Sequence, residues 1–274
     1  MILITGASGT VGGEVLKALG RTKVRAGYRT RPQNIPPGVE SVALDYDRPE
    51  TIRPALQGVD TVFLVSNTVD PERRVVDEAK RAGVKRIVKL SVIGAAQEGF
   101  TFARRHRAVE KHVEASGLAW TFLRPNGFMQ NVVNYMGETI RKQSAIYSSA
   151  GDGAVSPIDA RDIGAVGARV LTGPGHDGKA YELTGPAALT YGQVAQVLSR
   201  ALGREIRYVP LSPEQYRQAA VAAGTPEAYA DALVDLNRYY AEGKASVVTP
   251  AVRQITGREP IAFEQFARDH ADKL

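Results

Sequence analysis

The stretch Thr5-Gly6-Ala7-Ser8-Gly9-Thr10-Val11-Gly12-Gly13 constrains this chain more than any other. It follows the apolar run Ile2-Leu3-Ile4, which reads as a short buried parallel strand. After it, Val11, Val15, Leu16 and Leu19 recur on one helical face. In this order Gly6 turns tightly off the strand, Gly9 lets the backbone approach a pyrophosphate, and Gly12 lets the helix pack close to the sheet. The N–H groups of Ser8, Thr10 and Val11, at the opening of the helix, then face an anion. The spacing is Gly-x-x-Gly-x-x-Gly, and no Gly-Lys-Ser/Thr follows, so a P-loop is not expected. A glycine-rich turn with no ligand has the same letters. The strand before it and the helix after it favour a dinucleotide.

A dinucleotide site declares its preference at the end of the second strand, about 20 residues past the glycines, where a carboxylate selects the ribose 2′-hydroxyl of NAD. Between Glu14 and Glu40 this chain carries no acid, and Tyr28-Arg29-Thr30-Arg31 stands there instead. A guanidinium at that place pairs with a 2′-phosphate through charge-assisted hydrogen bonds. Arg29 is therefore expected to hold NADP(H) in preference to NAD(H), with Arg31 a weaker candidate. The alternative is that both are solvated surface residues. Asp45, with Tyr46 beside it, follows the third strand and is placed to accept from the adenine amino group or to serve as a helix N-terminal acid. Val65-Ser66-Asn67, after the fourth strand, is expected to border the cofactor on geometry alone.

Strand-like and helix-like segments alternate through the first half. Strands are expected at residues 2–5, 24–28, 42–44, 61–65, 86–92 and 120–123, with helices between them at 70–83 and 102–116. This order predicts an α/β fold, a Rossmann-type doubly wound parallel sheet with a smaller mixed α/β C-terminal lobe. The division expected is 1–150 for the cofactor-binding domain and 151–274 for the substrate-binding lobe, with some later segments returning to the sheet. In the second half, residues 159–171 and 189–202 read as helices, 180–183 and 206–209 as strands. Residues 212–243 read as helical with a break at Gly224-Thr225-Pro226.

The formal charge of +6 is scattered, and the short run Arg104-Arg105-His106-Arg107 lacks interleaved aromatics. Nucleic-acid binding is not expected, since a basic surface suits an anionic cofactor as well. There is no cysteine, so thiolate chemistry and disulfides are excluded. No His/Asp/Glu cluster has metal-ligand spacing. With a strand already at Ile2 and no long apolar run, no signal peptide or membrane span is expected, and the cytoplasm is the expected location. Either a monomer or a homodimer is compatible with these features.

The chain resembles the NmrA-like, atypical short-chain dehydrogenase/reductase family, in the branch that holds triphenylmethane reductase and NADPH quinone reductases. The resemblance rests on Thr5 to Gly12, Leu90-Ser91-Val92, His106-Arg107-Ala108-Val109-Glu110, the run from Gly117 to Asn126, the loop Ser156 to Asp162, and Tyr181-Glu182-Leu183-Thr184-Gly185. Members of the wider superfamily use Tyr-x-x-x-Lys with a serine after the fifth strand. Ser91 matches that serine, but the matching helix positions carry Phe102 and His106. Phenylalanine has no proton to give. His106, also a histidine in the branch resembled, is a candidate to bond the cofactor ribose or carboxamide or to donate a proton near neutral pH; the alternative is an exposed histidine among arginines. Tyr240 and Lys244 have the dyad spacing about a hundred residues too late and are read as coincidence.

Without a standard acid, the resemblance implies hydride transfer to a flat, conjugated small molecule such as a quinone or cationic dye. Asn126 and Phe128, after the sixth strand, are expected to line the nicotinamide end, with Phe128 and Met129 offering apolar contact or simply filling the core. Two other readings remain open. One is a non-catalytic NADP(H) sensor acting through protein contacts, and the other an isomerase or epimerase that uses the cofactor transiently.

Overall fold

The computed structural model describes every residue except Arg31, Gln33, Asn34 and Asn67. In chain order the elements begin with β1 (Ile2–Ile4), α1 (Thr10–Leu19), β2 (Val24–Tyr28), β3 (Val39–Ala43), α2 (Ile52–Ala55), β4 (Thr61–Leu64), α3 (Val69–Arg81), β5 (Arg86–Leu90), α4 (Thr101–Ala115) and β6 (Ala119–Pro125). They continue with α5 (Gly137–Gln143), β7 (Ala145–Ser148), α6 (Ala160–Thr172), β8 (Lys179–Leu183), α7 (Tyr191–Leu202), β9 (Arg207–Pro210), α8 (Pro213–Ala222), α9 (Glu227–Ala241), α10 (Ala251–Thr256) and α11 (Phe263–Asp269).

Seven strands form one sheet in the order β3-β2-β1-β4-β5-β6-β8, and every pairing is parallel. Alternation along the strands sends Ile4, Phe63, Val88 and Leu123 to one face, where α1, α6 and α10 cover them. Leu3, Val62, Ile87 and Phe122 go to the other face, under α2, α3 and α4. The sheet is therefore doubly wound, of Rossmann type. Strand order reverses between β1 and β4, and a crevice opens there at the carboxyl ends of the strands.

The third strand begins at Val39 rather than at Val42, because it pairs in register along all of β2 from Val24↔Val39 to Tyr28↔Ala43. As an edge strand it alternates half-buried with exposed residues, so Val39-Glu40-Ser41 carries little apolar signal.

Neither layer is one continuous stretch of chain. From beyond residue 150, α6 returns to pack on α1 and β8 extends the main sheet beside β6. Close approach of α6 depends on two glycines. A Cβ on Gly164 would lie 2.7 Å from the Glu14 backbone carbon, and one on Gly167 would lie 2.9 Å from a Val15 methyl. Conversely, α5 and the parallel pair β7–β9 belong to a second, smaller body with α7 and α11, built around Ile146, Val194, Leu198 and Phe266. Met129 is 1% exposed and lies in this second core, so it is a packing residue. Among the described residues no helix is long and apolar enough to cross a membrane, and no His/Asp/Glu group suits a metal ion.

Candidate cofactor and active site

At the carboxyl end of β1, Gly6 adopts a φ of +59°, a left-handed conformation that other residues rarely take. Gly9 caps α1 without a side-chain hydrogen bond, and the first turn of α1 carries no acid. The backbone N–H groups of Ser8, Thr10, Val11 and Gly12 have no partner among the described residues. Ser8 and Thr10 are exposed, so their donors open to solvent at the positive end of a helix dipole, with Val11 and Gly12 buried behind them. Gly12 is held by contact: a Cβ there would stand 2.2 Å from the Gly6 carbonyl oxygen. Thr5, which sequence reasoning passed over, ties the loop to β4. Its hydroxyl donates to the Phe63 carbonyl at 3.0 Å and accepts from the Val65 N–H at 2.8 Å. Val65 then packs beneath Gly6.

Arg29, just past β2, is exposed and makes no hydrogen bond or ion pair with the described residues. Asp45 lies beside it, since the Leu44 N–H bonds to the Tyr28 carbonyl. One carboxylate oxygen of Asp45 accepts from the Asp47 N–H at 3.1 Å. Asp45 caps no helix, because the helical turn that follows begins only at Pro49. Tyr46 turns inward and donates to the Val65 carbonyl at 3.3 Å, so its side chain props the β4 turn. Ser66 closes that turn, accepting from the Thr68 N–H at 3.1 Å. Arg31 and Asn67 lie outside the described residues.

The ends of β5 and β6 carry a buried charge network that the sequence reading missed. Glu110, 0% exposed, accepts from Ser91 Oγ at 2.6 Å, Arg124 Nε at 2.9 Å, Arg124 Nη2 at 2.7 Å and Arg107 Nη1 at 3.1 Å. Burial pushes this carboxyl up, but the bonds from Arg124 and Ser91 outweigh it and hold it below the usual range. The Ser91 proton is thus committed to Glu110. Ser91, expected as a catalytic serine, is left with only acceptor capacity toward a ligand.

One turn nearer the start of α4, His106 meets a second buried group. Lys89 Nζ lies 3.3 Å from His106 Nδ1, 2.6 Å from Glu72 Oε2 and 3.1 Å from the Leu90 carbonyl. Burial and the Lys89 charge hold the His106 ring well below the usual histidine pKa. At neutral pH the ring is therefore uncharged, and what it offers a ligand there is a ring N–H. Burial raises Glu72 to about 6 against the pull of Lys89. The visible signal was a lysine inside the otherwise apolar run Ile87-Val88-Lys89-Leu90. The other three histidines meet Asp77, Tyr181 and the Phe266 carbonyl elsewhere.

After β6, Asn126 is 1% exposed. Its Nδ2 donates to Ser156 Oγ and to the Ala245 carbonyl, both at 2.8 Å, and its Oδ1 accepts from the Gly127 N–H at 2.8 Å. The Asn126 amide thus staples three segments together at the end of β6, and both of its N–H groups are used within the chain. Phe128 is partly buried against the first core and bridges to Ile158. Tyr240 comes down from α9 so that a Cβ on Gly127 would lie 3.1 Å from its hydroxyl. Lys244 is exposed and pairs with Glu242 at 2.6 Å, so the Tyr240/Lys244 spacing forms no dyad.

Strand order, an open glycine turn and, at the end of β2, a guanidinium unpaired among the described residues define a Rossmann-type α/β protein with its crevice at the switch point. Residues 1–266 match the NmrA-like family. An NAD(P)H azoreductase of Xenophilus azovorans is 40% identical, over 99% of this chain and 98% of its own length. The structure of an NADPH-dependent quinone oxidoreductase from Escherichia coli complexed with NADPH is 28% identical and superposes with a TM-score of 0.87, over 98% of this chain and 99% of that one. The Citrobacter sp. triphenylmethane reductase complexed with NADP(H) is 27% identical with a TM-score of 0.86, over 99% of this chain and 100% of that one. The chain belongs to the NmrA-like family and is one of its oxidoreductases.

Proposed function

We propose that this chain is an NADPH-dependent reductase of quinone-like or other conjugated small molecules. The observation that carries the reading is the set of N–H groups of Ser8, Thr10, Val11 and Gly12, beside Arg29, all without a partner among the described residues. These residues fit a pyrophosphate and a 2′-phosphate, and the absence of a side chain at Gly12 lets α1 pack directly on the Gly6 turn. Asp45 keeps a carboxylate oxygen for the adenine side, and Val65 and Ser66 flank the crevice. When bound, the reduced nicotinamide supplies a hydride.

The chain's own side chains offer no placed acid at the nicotinamide end. The Ser91 proton goes to Glu110, and the His106 ring is neutral. A substrate whose reduced form is stabilised by conjugation needs no protein acid in the transition state, and solvent protonates it afterwards. Orientation and exclusion of water then carry the rate. The smaller body, α5, the parallel pair β7–β9, α7 and α11, supplies the substrate side. Phe128 and the Tyr240 ring over Gly127 offer flat apolar walls.

With a panel of quinones and cationic dyes, steady NADPH oxidation is the expected result. Tight cofactor binding without turnover on any acceptor would favour a sensor, and turnover without net NADPH loss an isomerase. For the cofactor preference, Arg29→Ala is expected to weaken NADP⁺ binding about 10- to 100-fold, the loss of a charge-assisted contact of roughly 1.5–3 kcal/mol. NAD⁺ affinity should stay within about threefold. Isothermal titration at two salt concentrations checks this, since an exposed contact weakens with salt. Equal losses for both cofactors would remove Arg29 from the 2′-phosphate.

A further inference from the structure

We infer that the buried Lys89–Glu72 pair is a positioning device that locks His106 as a neutral imidazole protonated on Nε2. Lys89 is fully buried, and its three N–H groups meet three partners: Glu72 Oε2, the Leu90 carbonyl and His106 Nδ1. An ammonium has no lone pair, so Nδ1 must accept. A neutral ring that accepts at Nδ1 carries its proton on Nε2. The competing arrangement is a neutral Lys89 amine accepting from an Nδ1–H. It would leave the Glu72 carboxylate, 1% exposed, without a counter-charge, which is costly.

The lock also resists protonation. A second proton would have to sit on Nδ1, facing the ammonium at 3.3 Å. The charged groups around the ring are Lys89 from β5, Glu72 and Arg73 from α3, and Arg105, Arg107 and Glu110 on α4 itself. Glu110 is occupied by Ser91, Arg124 and Arg107. Glu72 reaches Lys89 rather than the ring.

Nε2 lies across the ring from Lys89 and has no hydrogen-bond acceptor among the described residues. His106 stands one helical turn beyond Glu110, which already touches Ser91 at the end of β5. The Nε2–H is therefore a permanent donor at the carboxyl edge. That its acceptor is a ribose or carboxamide oxygen of the cofactor rests on the reductase reading; the lock itself does not.

The test uses the full chain labelled with ¹⁵N-histidine and no cofactor, so failure of the reductase reading leaves it untouched. Each of the four histidines is assigned by single replacement. From about pH 5.5 to about 8.5, across the ordinary histidine pKa, His106 is expected to show one unprotonated Nδ1 and one protonated Nε2, without change. A protonated Nδ1 in that range, or a ring that titrates near about 6.5, would overturn the lock. In the doubly substituted Glu72→Gln/Lys89→Met chain, which leaves no unpaired buried charge, His106 should recover mixed tautomers, while burial still keeps its pKa low. A ring unchanged in that variant would show that Lys89 is not the cause. The unsubstituted chain decides the tautomer even if that variant does not fold.

Discussion

Replacing Gly12 with alanine is expected to weaken NADPH binding about 100-fold or more, while the neighbouring replacement Gly13→Ala leaves it within about threefold. Both positions lie in the first turns of α1, and both changes raise intrinsic helix propensity by roughly 1 kcal/mol. They differ in what the new methyl meets. At Gly12 it would lie 2.2 Å from the Gly6 carbonyl oxygen, 2.8 Å from the Gly6 carbonyl carbon and 3.2 Å from Ala7 Cα. All three are backbone atoms, so no side chain can rotate away, and α1 must move off the loop. The N–H groups of Ser8, Thr10 and Val11 then lose their common focus. At Gly13 the nearest atom is the Ala7 carbonyl oxygen at 3.7 Å, an ordinary contact. The strain at Gly12 should also lower stability by about 1–3 kcal/mol, as overpacking does. Titration calorimetry with NADPH and urea denaturation of the two variants check both halves. Equal binding by the two would mean that this loop does not hold the phosphates.

The second large effect is expected at Glu110. Glu110→Ala should cost about 3 kcal/mol of folding stability, since it leaves Arg124 and Arg107 facing each other around a cavity and Ser91 without an acceptor. Both arginines reach solvent in part, which keeps the figure at the low end of the range for a broken buried pair. The same carboxylate gives a pH signature. Its folded pKa lies below the unfolded value, so its contribution is fully present above about pH 4.3 and is lost as pH falls through the folded pKa. Urea midpoints measured from neutral pH down to about pH 3 should therefore fall more steeply in the parent chain than in Glu110→Ala. Parallel curves would assign the acid lability to other carboxylates.

Much of the cofactor half of the site was legible because it is local. Strand, glycine turn and helix are contiguous in the chain, and each glycine answers a demand made by residues within about one turn of it, as Gly12 does to Gly6. Arg29 was legible for the same reason: the end of a strand is readable from its apolar run, and the lack of any acid from Val15 to Val39 is a property of the letters. The catalytic half was not local. Ser91, Glu110 and Arg124 come from β5, α4 and β6, and Glu72, Lys89 and His106 from α3, β5 and α4. Nothing in the spacing of a strand lysine and a helix glutamate says that the first donates to the second. That the Asn126 amide ties β6 to Ser156 and Ala245, far along the chain, was likewise not legible in its neighbours.

The sequence by itself determined the parallel sheet, the glycine turn that opens α1 and the cation that stands at the end of β2, since all three follow from periodicity and residue type over short spans. The tertiary structure alone decided which protons are free at the other end of the crevice. Burial and pairing of distant side chains commit the proton of Ser91 to Glu110, hold the His106 ring neutral against Lys89, and bring Tyr240 over Gly127. A side chain's ability to give up a proton depends on its neighbours in space, and those neighbours are set only when the chain has folded.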